Sequence, residues 1–174
     1  MFRPLLLAAL VALPLGGCAM QSDGPGGAMA MGDMTPNGRT AYVQMAAASD
    51  LFEIQSSNLA RTRAQSPEVR QFAEMLVAHH TQMTAQLMAA ASAAGVPVVP
   101  TLMPMQVRMM TQLQSASGAG FDRVYMTQQV QAHEMALALH GNYARNGDTV
   151  ALRTVASAAT PIVQQHLDRA RQLD

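Results

Sequence analysis

The chain has 174 residues, with 11 basic residues that are all arginine, 11 acidic residues, 4% aromatic residues, no Trp and 15 Met. Arginines scattered through a neutral chain give no cationic face for phosphates, which excludes nucleic acid as a partner. The single Cys18 excludes a disulfide framework and a thiolate metal cluster.

The first element is a leader. Arg3, an apolar run from Leu5 to Leu13 and the small residues of Leu15-Gly16-Gly17-Cys18 read as a bacterial lipoprotein signal over residues 1–17. The run is too short to span a membrane. Cys18 becomes the first mature residue and the site of lipidation; the rival reading is an ordinary secretory signal with an incidental thiol. Buried methylenes contribute about 0.8 kcal/mol each, so several acyl chains hold a domain at a membrane, which is the partner this reading predicts. Ala19, where inner-membrane retention favours Asp, points to an exported, periplasm-facing protein on the outer membrane. Losing Arg3 leaves a mature balance of 10 − 11 = −1. Residues 18–36, with Gly24, Pro25, Gly26, Gly27, Gly32 and Pro36, read as a flexible tether.

Residues 37–174 form one domain, and the abundance of Ala, Leu, Met, Gln and Arg favours helices over strands. A first helix is predicted from Gly38 to Ala64, with Tyr42, Met45, Phe52 and Leu59 on one stripe. Ser66-Pro67-Glu68 is a start signal: a capping oxygen, a residue needing no amide partner, and a carboxylate at the positive end. The second helix runs over 67–94 through Val69, Phe72, Leu76, His80, Met83 and Leu87, stopped by Gly95 and Pro97. A long crossover follows, holding a short amphipathic piece from Met105 to Leu113. The third long helix spans Ala119–Arg145 with Asp122 facing its positive end, and Asn146-Gly147-Asp148 turns the chain. The fourth, capped by Asp148 or Thr149, continues to Leu173 with Pro161 expected to bend it. Two antiparallel hairpins joined by a long crossover make an all-α, ferritin-like four-helix bundle.

Helix rise then places the polar residues. Glu53 lies about 12 residues before the first turn and His80 about 14 after it, so the two sit at one level. His133 and His166 fall about 14 and 18 residues from the second turn, roughly one helical turn out of level. His140 misses His166 by about three turns and reads as interfacial or exposed. His79 points about 100° away from His80 and reads as a boundary residue or a reserve ligand. Glu53, His80, His133 and His166 therefore form a candidate layer for a single transition-metal ion, the donor set suiting Zn, Cu, Ni, Mn or Fe. The competing reading is a structural polar layer in which Glu53 accepts from one imidazole and water satisfies the rest. A diiron centre is disfavoured because Val77, Val130 and Val163 stand where Glu-x-x-His motifs need Glu.

Methionine supplies a second theme. Met29, Met31 and Met34 fall in the tether and Met103, Met105, Met109 and Met110 in the crossover, and thioethers select soft Cu(I). The same residues can form an apolar crossover lid, and no tight repeat marks a site. No nucleophile elbow, phosphate loop or HExxH pair is present, so no reaction is assigned and no catalytic residue is named.

The stretches Ala48–Ile54, Ser66–Val69 with His79-His80, Phe121–Tyr125 with His133, and Thr160-Pro161 with His166 resemble the exported bacterial family called domain of unknown function 4142, over about Asn37 to Leu173. The resemblance implies a ferritin-like envelope domain without an established reaction, cofactor or partner. Members of that family usually carry Asp-His where this chain has His79-His80, which implies that a carboxylate supporting the second-helix imidazole is missing. An alternative function is a non-catalytic envelope scaffold whose polar layer sets helix register.

Overall fold

The computed structural model describes residues 35–174; the expected signal over 1–17, Cys18, Met29, Met31, Met34 and all but the last two residues of the expected 18–36 tether lie outside the described residues. Five helices follow in order: α1 Arg39–Arg63, α2 Pro67–Ala93, α3 Pro104–Ser115, α4 Gly118–Asn146 and α5 Val150–Leu173. The four long helices form the predicted bundle. α1 packs on α2 and α4, and α5 packs on α2 and α4, so every pair of neighbours is antiparallel. The crossover carries the chain back along the bundle, and its short helix α3 lies against α1 and α4. Among the described residues no helix is long and apolar enough to cross a membrane.

Local chemistry sets the helix ends. Ser66 Oγ accepts from the amides of Glu68 and Val69 at 3.1 and 3.3 Å, as the start signal requires. α2 stops where Gly95 adopts φ 69°, with Val96 N–H donating to Ala91 O at 2.9 Å and Gly95 N–H to Ser92 O at 3.0 Å. That pair of bonds closes the helix through a left-handed glycine, and it folds Val96 into the core. At Gly147 a Cβ would lie 2.5 Å from the Tyr143 ring, so only glycine lets the chain turn beneath it.

Two capping expectations are corrected. Asp122 does not face its own helix dipole; its carboxylate accepts from the amides of Gln65 and Ser66 at 2.8–3.0 Å, and so holds the α1–α2 turn. Asp148 does not cap α5, and Thr149 makes no side-chain cap bond there. Asp148 instead accepts from Arg39 N–H at the start of α1 and from the Tyr143 hydroxyl at 2.8 Å. Both carboxylates thus fasten one hairpin to the other, at opposite ends of the bundle. A charged acceptor finds more unpaired amides at a neighbouring helix start than along its own helix. α5 runs unbroken through Pro161.

The core is divided by level. Tyr42, Val43, Leu87, Ala91, Leu139, Tyr143 and Leu152 close one end, with the Tyr42 and Tyr143 rings stacked 3.8 Å apart. Ala60, Phe72, Leu76, Leu113, Phe121, Tyr125 and Met126 close the other. Between them lies a buried polar layer of Asp50, Glu53, Ser56, Ser57, His80, Gln129, His133 and His166. Such a layer costs stability unless its groups find partners, so its bonding is informative.

Candidate metal centre

Three of the four helices each bring one imidazole to this layer: His80 from α2, His133 from α4 and His166 from α5, all 1% exposed. Their ring centroids form a near-regular triangle with sides of 5.7, 5.3 and 5.3 Å. One nitrogen from each ring lies within 4.8 Å of the others, a group able to hold a metal ion. Three points this close share a centre no more than about 2.8 Å away (4.8/√3), so each nitrogen needs to move inward by at most about 0.7 Å to reach a bonding distance near 2.1 Å.

Each ring is already oriented through one nitrogen. His80 Nδ1 pairs with Asp50 Oδ1 at 2.8 Å, and Asp50 Oδ2 accepts from Thr84 Oγ1 at 3.1 Å. His133 Nδ1 donates to Gln129 O at 2.8 Å. His166 Nε2 meets Nδ1 of His79 at 2.8 Å, and those two rings stack with an interplanar angle of 21°. The remaining nitrogens, His80 Nε2, His133 Nε2 and His166 Nδ1, are buried without a hydrogen-bond partner. An imidazole held by one nitrogen and unpaired at the other is the arrangement a ligating histidine takes in metal sites.

Glu53 is buried beside this triangle. Its Oε1 lies 3.9 Å from His133 Nδ1, and its Oε2 has no partner. The converging group of ligand atoms comes from the three histidines, with Glu53 next to it. Burial raises the Glu53 carboxyl to about 7, against the downward pull of the His80 charge and the Gln129 amide. Burial also opposes charge on His80, but the bond to Asp50 and the carboxylates of Glu53 and Asp50 outweigh it and raise that imidazole above its ordinary value. His133 is lowered to about 3 by burial and the neighbouring His80 charge, and His166 to about 2 by burial and the charges of His80, His133 and His79. The layer holds one imidazole that favours its proton and two that stay neutral.

The four residues expected to form the layer all reach it. From the observed helix ends His133 and His166 lie 13 and 16 residues along, an offset of about 4.5 Å that the side chains bridge. His79 is an exposed boundary residue, yet its ring fixes His166. His140 is interfacial, its Nδ1 lying 3.1 Å from the Tyr42 hydroxyl of α1, and the expectation of an exposed side chain is corrected, because it is buried. Burial lowers it to about 4. The missing support for the second-helix imidazole is also corrected, because Asp50 of α1 supplies that carboxylate from across the bundle. Asp50 lies three residues before Glu53 and therefore on the same helix face, which is the signal that locates it in the sequence.

The family model described as "Domain of unknown function (DUF4142)" matches residues 25–173. No curated protein matches. Among solved structures, the chain is similar in fold to "CopM in the Cu(II)-bound form", with a TM-score of 0.66, 16% identity, and coverage of 78% of this chain and 94% of that one. "CopM in the Cu(I)-bound form" gives a TM-score of 0.64 at 16% identity, covering 77% and 93%. "CopM in the Ag-bound form (by co-crystallization)" gives 0.63 at 15% identity, covering 78% and 93%.

Proposed function

We propose, for a chain that belongs to the family described as domain of unknown function 4142, that it binds one transition-metal ion through His80, His133 and His166, with Glu53 as the adjacent anionic donor. The observation that carries this reading is the convergence of three buried imidazoles whose unpaired nitrogens have no other use. Imidazole suits divalent copper, zinc, nickel and iron. Copper is the first ion to test, because the neighbours of similar fold are described in copper- and silver-bound forms. The role is metal handling rather than catalysis. Asp50 orients His80, Gln129 orients His133, and His79 orients His166, while the apolar clusters above and below exclude water. In this reading Cys18 is lipidated and residues 18–36 tether the domain to the outer membrane, facing the periplasm.

One further observation favours a structural layer instead: each ring already has one partner, which suffices to set helix register. Elemental analysis after expression with the native signal, followed by titration with Cu(II) and Zn(II), separates the two. The metal reading expects one equivalent per chain, lost in the variant His80→Ala/His133→Ala/His166→Ala. Metal content unchanged by that variant overturns it. So does a chain that takes up no metal, ignores chelators and gains stability when the layer is made apolar.

A further inference from the structure

Ten of the chain's 15 methionines lie among the described residues. Five of them line one cavity of about 30 Å³ between α1, α3 and α4: Met45 from α1, Met103 from the connection before α3, Met105 and Met109 from α3, and Met135 from α4. The cavity has no charged lining residue. Met109 is buried, while the other four are half-buried, so methionine side chains line a cavity that is partly open to solvent. Gln106, only 7% exposed, accepts the Met103 N–H through Oε1 at 2.8 Å and thereby fixes that rim residue.

Flexible methionines ordinarily close gaps in a core. Here they meet from four separate segments and leave space on the scale of one water or ion. A thioether is neutral, polarizable and carries no proton to displace, so it suits a soft monovalent cation far better than a hard divalent one. A single positive charge at a half-open mouth keeps contact with water and escapes most of the cost of full burial.

We propose that this methionine cavity is a second metal site, binding a soft monovalent cation of the Cu(I) or Ag(I) class through thioether sulfurs. It is independent of the imidazole layer. Phe52 and Ala132 line the cavity, whereas the next residues, Glu53 and His133, belong to the layer, so the two sites lie on adjacent faces of α1 and α4.

The test titrates Ag(I) into the full chain carrying Cys18→Ser, which removes the competing thiol. The parent is compared with Met45→Leu/Met103→Leu/Met109→Leu/Met135→Leu, with the tether set Met29→Leu/Met31→Leu/Met34→Leu, and with the triple His→Ala variant. Leucine preserves apolar volume, and circular dichroism verifies folding. Ag(I) affinity is expected to fall at least about 100-fold in the cavity set, the upper end of what loss of a mere supporting residue costs a metal site. It stays unchanged in the tether set, and in the histidine set the cavity's equivalent of Ag(I) persists with its affinity unchanged while any Ag(I) held by the layer is lost. Should the quadruple variant fail to fold, the pairs Met45→Leu/Met135→Leu and Met103→Leu/Met109→Leu are each expected to weaken Ag(I) binding. A parent that binds no Ag(I), cavity variants that bind as tightly as the parent, or a loss that follows the tether or histidine set instead overturns the proposal. Zn(II) uptake by the leucine variants reports the imidazole layer separately.

Discussion

Replacing Glu53 by Gln tests the electrostatics of the interior layer most directly. In the metal-free protein the carboxyl is raised from 4.5 to about 7, chiefly by burial, so the folded state holds a proton that the unfolded chain releases. Stability from this group is therefore complete below about pH 4.5, declines as pH rises, and levels off above about pH 7. The rise from 4.5 to about 7 corresponds to about 3 kcal/mol lost at pH 8. Glu53→Gln has nearly the same shape and cannot ionise, so it recovers that amount at pH 8 and almost nothing at pH 4. For a domain of this size the gain appears as a rise in Tm on the order of 10 °C. The assay is thermal and urea unfolding of chelator-treated protein at a series of pH values, with wild type and variant measured in parallel. His133, His140 and His166 have lowered values and destabilise the fold as pH falls below 6.5 in both proteins, so the difference between the two curves reports Glu53 together with the support its carboxylate gives the His80 charge. A variant no more stable than wild type at pH 8, or a gain equal at pH 4 and pH 8, refutes the reasoning.

Three other outcomes are expected. Asp50→Asn removes the carboxylate that orients His80, and metal titration should show affinity about 10- to 100-fold weaker with stoichiometry unchanged. Asp122→Ala strands the amides of Gln65 and Ser66, and denaturant unfolding should register a loss of about 1–3 kcal/mol. Cys18→Ser should abolish incorporation of labelled fatty acid and release the protein from membranes on fractionation; incorporation that persists would remove the lipoprotein reading.

The bundle was legible because its elements carry their own boundaries. Ser66-Pro67-Glu68, Gly95 and Gly147 mark ends that local backbone chemistry enforces, and the apolar stripes need a partner wherever they occur. Helical rise is constant, so counting residues from each turn was enough to bring Glu53 and His80 to one level and His133 and His166 to within about one helical turn of each other. Side chains that reach across between helices were not legible in this way. Asp50, Asp122 and His140 sit at ordinary helical positions and Asp148 in the turn before α5, and their roles depend on which neighbour faces them.

By itself the amino-acid order determined the helices, their lengths, their pairing into two hairpins and the level of the polar layer, because each of these follows from spacing along one chain. Only the tertiary structure decided the rest. The rotation of each helix about its axis selects which carboxylate holds which imidazole, which nitrogens stay unpaired, and which methionines surround a common cavity. Those choices depend on packing between segments up to about a hundred residues apart, as for Tyr42 and His140, and side-chain packing of that kind leaves no periodic trace in the sequence.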